Sequence, residues 1–174
     1  MLFRSDRIEH AALAPPDTLL LLAALGVTVV TQPNFIHERG DAYRQDVPVG
    51  DQPWLYRLRG LIDAGIPLAG STDAPFGDAN PWLAMQAAVD RRTRSGATLG
   101  AAEALTPEQA LALFTGSPTA PGSVQRRIAL GAPADLCLLD RSWAQARRDL
   151  GNVRIVATLK DGQRIWPLSP VLER

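Results

Sequence analysis

Apolar segments alternate with segments of helical spacing through the first half of this chain, and that order constrains its fold more than any other feature. A short run at residues 7–12 comes first. Residues 19–25 are rich in leucine and alanine behind Pro15-Pro16-Asp17, and Gly26 supplies the residue that commonly ends a helix. Residues 27–31 are dense in β-branched side chains and read as a buried parallel strand, stopped by Gln32-Pro33-Asn34. Residues 54–64 carry Leu55, Leu58, Leu61 and Ile62 at helical spacing, closed by Gly65 and Pro67. Leu68-Ala69-Gly70-Ser71-Thr72-Asp73 reads as a third strand, small and apolar until it stops on a carboxylate. Pro75 has no amide to donate and ends it. Asn80-Pro81 opens a further helix through Trp82, Met85 and Val89 towards Arg94. Strand then helix, three times over, predicts an α/β architecture of parallel strands joined by crossover helices.

Residues 35–52 interrupt this order. They hold His37, Arg39, Tyr43 and Arg44 among glycine and proline breakers and show no clean period. They are expected to form a long loop of the kind that often contacts substrate. The second half changes character. Thr106 as N-cap, Pro107 and Gln109 make a capping box. Strand candidates follow at 134–140, 153–159 and 163–166, the last two joined through Lys160-Asp161-Gly162, an Asp-Gly hairpin signal. Two domains result: an α/β part at 1–120 and a small antiparallel β unit at 121–174.

Eighteen basic and eighteen acidic residues cancel, with no basic block, so charge supplies no reason to expect nucleic acid or an anionic membrane as partner. The longest apolar stretch, residues 19–30, is broken by Gly26 and too short to span a bilayer. The polar residues before it do not make a signal peptide. The single cysteine, Cys137, cannot form an internal disulfide. These features predict a cytoplasmic protein, and its apolar neighbours predict that Cys137 is a buried packing residue.

His10 and Asp73 follow the first and third strands. In barrels of alternating strands and helices, catalytic residues sit at such strand ends. An imidazole and a carboxylate converging there suit a divalent metal such as zinc. A metal acidifies bound water, and an aspartate can accept and return the proton. The plainer alternatives are a hydrogen-bonding structural histidine and an aspartate capping a turn. Glu9, on the opposite strand face from His10, is expected in an ion pair or hydrogen bond. His37 is expected at the solvated surface, and Trp54 and Trp82 in packing.

Several motifs together resemble the amidohydrolase superfamily, best its family 3 branch of N-substituted formamide deformylase-like enzymes. They are Arg7-Ile8-Glu9-His10, the strand Val30-Thr31-Gln32-Pro33-Asn34-Phe35, and Gly70-Ser71-Thr72-Asp73-Ala74-Pro75, in which Thr72 is a one-residue variation. Leu105-Thr106-Pro107-Glu108-Gln109-Ala110, Gly131-Ala132-Pro133-Ala134-Asp135-Leu136 and the closing hairpin continue the match in order. The resemblance implies a metal-dependent TIM barrel with a small β-sandwich, and hydrolysis of non-peptide carbon–nitrogen bonds, amide or cyclic amide, in a small-molecule substrate. It makes His10 a metal ligand from the sixth strand. Asp73 becomes the eighth-strand aspartate, both metal ligand and proton carrier.

A whole barrel takes about 250 residues, and the paired histidines of the family's first strand have no counterpart here. The chain is therefore expected to be the C-terminal portion, about three βα units, of such an enzyme, as a fragment or split subunit. Three barrel strands leave open edges. The missing barrel part or a second copy is the expected partner, and the isolated chain is not expected to hold zinc tightly. The competing expectation is an inactive remnant or interaction module that pairs through the open edge.

Overall fold

Strands β1 (Arg7–Glu9), β2 (Thr28–Thr31) and β3 (Leu68–Gly70) form a parallel sheet in the order β1-β2-β3. The register aligns Ile8 with Val29 and Val29 with Leu68. These coordinates are a computed structural model that describes residues 6–167. The chain divides into two units, Met1–Gln125 and Arg126–Arg174.

In the first unit, helix α1 (Pro16–Leu25) joins β1 to β2. Gly26 ends it in the left-handed conformation, with φ of 64°, which a residue without Cβ adopts at little cost. Helices α2 (Asn34–Asp46) and α3 (Leu58–Asp63) lie between β2 and β3, and α4 (Pro81–Asp90) and α5 (Pro107–Ala112) follow. Asn80 caps α4 by accepting from the Trp82 amide. Thr106 and Gln109 form the expected reciprocal box at α5.

Three sequence expectations change. Residues 35–52 are not a loop: α2 occupies most of them. Its apolar stripe runs Ile36, Gly40, Tyr43, Val47, and Gly40 reads as a breaker only in isolation. A Cβ there would stand 2.6 Å from Cγ2 of Thr93, so glycine permits the helix to approach its neighbour. Residues 54–64 are not one helix. Leu55 is extended, Tyr56 has φ of 45°, and α3 begins only at Leu58. Arg91 imposes this break. Its side chain is fully buried and donates through Nη2 to the Leu55 carbonyl, Nη1 to Tyr56 and Nε to Leu99, at 2.9, 2.8 and 3.0 Å. Burial pulls its pKa down to about 10. Third, β3 stops at Gly70, and Asp73 lies three residues beyond it.

A part-buried ion pair braces the same region. Arg57 Nε donates to Glu103 at 2.8 Å, and the second Glu103 oxygen accepts from the Gly60 amide at 2.7 Å. Phe35, Ile36, Leu55, Tyr56 and Leu99 pack as a cluster, joined by Ala12, Tyr43 and Val47. Trp82 is buried, as its packing role requires.

The second unit is an antiparallel sheet, order β4-β5-β6, of β4 (Leu136–Leu139), β5 (Ile155–Lys160) and β6 (Gln163–Trp166), with the short helix α6 (Trp143–Ala146) between the first two strands. Asp161 and Gly162 both take positive φ, 49° and 78°, the requirement of a tight hairpin. Asp135 staples the turn: its carboxylate accepts from Lys160 Nζ and from the Asp161 amide, each at 3.0 Å. Cys137 is exposed on β4, not buried as its apolar neighbours suggested. Leu136 and Leu138 beside it are exposed too, so an apolar run here does not mark an interior. Among the described residues, no helix is long and apolar enough to cross a membrane.

Candidate active site at the strand ends

The parallel ladder continues one residue past β1 and β3. The His10 amide donates to the Val30 carbonyl and the Ser71 amide to the Thr31 carbonyl, both at 2.8 Å. These bonds hold His10 and Ser71 level with the C-terminal end of β2. The hydroxyl of Thr31 donates to the His10 carbonyl at 2.8 Å. Asp73 begins a turn, its carbonyl accepting from the amides of Phe76 and Gly77, while its own amide donates to Ser71 Oγ at 3.3 Å. The backbone of Asp73 thus does the capping, and its carboxylate takes no hydrogen bond among the described residues.

His10, Ala11, Tyr56 and Asp73 all have positive φ, between 45° and 69°. Each left-handed non-glycine residue carries a strain of about 1–3 kcal/mol that surrounding structure must hold. Such residues concentrate at functional sites. The remaining polar residues fall elsewhere. Glu9 pairs with Arg7 at 2.7 Å on the strand surface. His37 is exposed on α2, its Nδ1 lying 3.3 Å from the Arg92 carbonyl.

An aromatic wall that periodicity alone did not mark stands beside the strand ends. The His10 ring lies parallel to Phe35 with centroids 6.3 Å apart. Tyr56 and Phe76 meet Phe35 edge-on at 6.0 and 5.9 Å. The hydroxyls of Tyr56 and Tyr43 lie 3.4 Å apart. Burial, reinforced by Tyr43 and more weakly by the Asp73 charge, pushes the Tyr56 phenol well above its usual range. It therefore stays a neutral hydroxyl. The guanidinium of Arg39 sits over the Phe76 ring at 4.2 Å and over Phe35 at 5.3 Å. The one sequence signal for this wall was the polar-aromatic composition of residues 35–52.

Imidazole nitrogen and carboxylate oxygen are the donor types that a divalent cation such as zinc takes. The number falls short: the described residues contain no group of three His, Cys, Asp or Glu side chains able to surround an ion. His10 and Asp73 supply two donors of the right type, too few on their own to surround an ion.

The model of the Amidohydrolase family matches residues 2–166. The chain belongs to the amidohydrolase family. Its likeness is to the family 3 branch. The N-substituted formamide deformylase of Arthrobacter pascens is 30% identical over 161 residues, 90% of this chain and 30% of that protein. The putative amidohydrolase YtcJ of Bacillus subtilis strain 168 is 25% identical over 95% of this chain and 33% of its own length. This amidohydrolase chain thus spans about a third of the length of these curated relatives. Among solved structures, an uncharacterised metal-dependent hydrolase from Pyrococcus horikoshii OT3 is 34% identical, with a TM-score of 0.56, over 63% of this chain and 23% of that one. The A. niger ochratoxinase structure, 22% identical with a TM-score of 0.55 over 91% of this chain and 36% of that one, shares the fold.

Proposed function

We propose that this chain contributes the His10–Asp73 side of the active site of a metal-dependent hydrolase that cleaves non-peptide carbon–nitrogen bonds, amide or cyclic amide. The observation that carries the reading is the placement of His10 and Asp73 just beyond the ends of parallel strands of one sheet, with the Asp73 carboxylate free of hydrogen bonds among the described residues. Family membership over nearly the whole chain supports it. In this reading β1, β2 and β3 are the last three strands of a TIM barrel, and β4–β6 are part of its small β-sandwich. In this reading the remaining ligands come from outside the described residues.

His10 and Asp73 would hold the metal, which we take to be zinc, together with those outside ligands. A bound metal of this kind supplies an acidified water at the site. Asp73 would hold the proton such a water gives up and would deliver it to the departing nitrogen. Thr31 and Val30 fix the His10 backbone, and the turn at Phe76 and Gly77 fixes that of Asp73. The neutral Tyr56 phenol adds no competing charge beside the carboxylate.

The test joins this chain to the preceding portion of the Arthrobacter relative, by co-expression or fusion. Metal content and hydrolysis of an N-substituted formamide are then measured. Stoichiometric metal and turnover are expected, with Asp73→Asn lowering kcat about 10²–10⁴-fold at unchanged fold. Full activity in Asp73→Asn, or no turnover by a metal-loaded assembly, would overturn the proposal.

One observation favours a second reading, an interaction module without catalysis. All of β1 is exposed, as are Leu20, Leu21 and Leu25 on α1, and an open strand edge with apolar neighbours is a pairing surface. Under that reading the assembly forms, binds no metal and does not turn over.

A further inference from the structure

We propose that Arg39 is a specificity-determining residue that binds a carboxylate on the substrate, an inference that rests on the strand-end site being the active site. Arg39 projects from α2 into the aromatic wall, one helical turn beyond Phe35. Its guanidinium lies over Phe76 and Phe35, and the Phe35 ring is parallel to that of His10. Phe76 is 65% exposed and Arg39 is half-buried, so the arginine sits at the rim of the wall rather than in the core.

What distinguishes Arg39 is that it has a place but no partner. It forms no hydrogen bond or ion pair among the described residues, and its Nε–H is buried with nothing to receive it. Buried donors without acceptors are rare and costly. The acidic groups nearest it on its helix, Glu38 and Asp41, are otherwise engaged. Glu38 accepts from Asn34 Nδ2 at 2.9 Å and from the Asp78 amide at 3.1 Å. Asp41 accepts from the Ser95 amide and hydroxyl at 2.9 and 2.6 Å. Asp73 makes no ion pair with it.

Stacking explains why a carboxylate is the matching ligand. A guanidinium held against aromatic faces keeps its N–H donors in its own plane, directed sideways. The two near-perpendicular rings hold the guanidinium from two sides, and its terminal nitrogens donate to no acceptor among the described residues. A planar fork of donors matches a carboxylate through two parallel hydrogen bonds. A neutral group in the same place would leave charge and donors unmatched. The Arg39 edge would thus select acylated amino acids or other acid-bearing amides over neutral ones.

The experiment titrates two probes, N-acetylphenylalanine and its neutral twin N-acetylphenylalaninamide, into the 174-residue chain labelled with ¹⁵N-arginine. Side-chain Nε–H shifts and affinities are followed without requiring turnover. The expected result is at least about tenfold tighter binding of the carboxylate, as two charge-assisted hydrogen bonds supply, with the Arg39 resonance moving on saturation. Arg39→Met should erase that preference. Arg39→Lys, which keeps charge and stem but loses the fork, should retain only part of it and serves if the methionine variant does not fold. Equal affinity for the two probes, no saturable binding of either, or a preference unchanged by both substitutions would overturn the proposal. Hydrolysis in the joined enzyme is scored separately. Turnover of both compounds without discrimination removes the Arg39 role alone, whereas carboxylate binding without any turnover removes the hydrolase reading alone.

Discussion

The two units place charge and apolar surface in opposite ways. In Met1–Gln125, away from the strand-end site, the interior is braced by ionic groups with full sets of partners: Arg91 holds three carbonyls, and Arg57 and Glu103 brace the start of α3. In Arg126–Arg174, the ion pairs of Asp135 and Asp140 lie at the surface, while Leu138, Val156, Ile165 and Trp166 are exposed. The first unit is specified from within, where an unpaired charge is expensive. The second is specified by its turn and ladder, with much of its apolar surface left open. A site that needs strained backbone can be maintained only where the interior over-determines the chain, and the strand-end site lies in the first unit.

Substitutions can break or sharpen that contrast. The largest effect should come from Arg91→Met. Removing the guanidinium strands the carbonyls of Leu55, Tyr56 and Leu99, an expected loss of about 3–5 kcal/mol, read by urea denaturation with residue-resolved hydrogen exchange. A loss under about 1 kcal/mol would refute the idea that buried charge specifies this unit. Next, Leu61→Ala, at 1% exposure, should cost about 2–5 kcal/mol. Leu138→Ala, at 56% exposure, should stay within about 0.5 kcal/mol. Equal costs would erase the contrast. A smaller effect is expected from Thr106→Ala, which removes the α5 cap for about 1 kcal/mol and should leave exchange in β4–β6 unchanged.

The least change should appear as opposite pH limits. The Asp161 amide first, then Lys160, hold the Asp135 carboxyl below its usual range. Its stabilisation is complete above the unfolded pKa near 3.8 and disappears as pH falls through the lower folded value. The hairpin should therefore loosen in acid, and Asp135→Asn should flatten that limb. Tyr56 behaves in the opposite sense. The folded state keeps the phenol proton that an unfolded chain loses near pH 10. The Tyr56 contribution to the first unit should therefore fall as pH rises past 10, and Tyr56→Phe should remove that contribution. Amide exchange across both limits checks the two signs.

Much of this was legible because local signals agreed with the fold. The β-branched run at 27–31, the Thr106–Gln109 box and the Asp161-Gly162 turn all became the elements they encode. The failures occurred where distant residues decide. Nothing local to Leu55 and Tyr56 says that Arg91 will take their carbonyls and interrupt a helical pattern. Nothing local to Gly40 says that Thr93 will press against it. Cys137 failed for another reason: an apolar run does not say whether a second layer covers it. At the site, His10 and Asp73 could be nominated from strand ends and motifs. Phe35, Tyr56, Phe76 and Arg39 could not, because their relation exists only across three separated segments.

The left-handed backbone at His10 and Asp73 also bears on how such a chain can evolve. Glycine suits that conformation better than either residue. A lineage freed from selection for its chemistry would gain stability by exchanging His10 for glycine, losing an imidazole while relaxing the peptide that carried it. The decay of function and the improvement of the fold would then run in the same direction. Among descendants of a chain like this one, retention of histidine at that position is evidence of continuing selection for the side chain itself, since the fold alone would discard it.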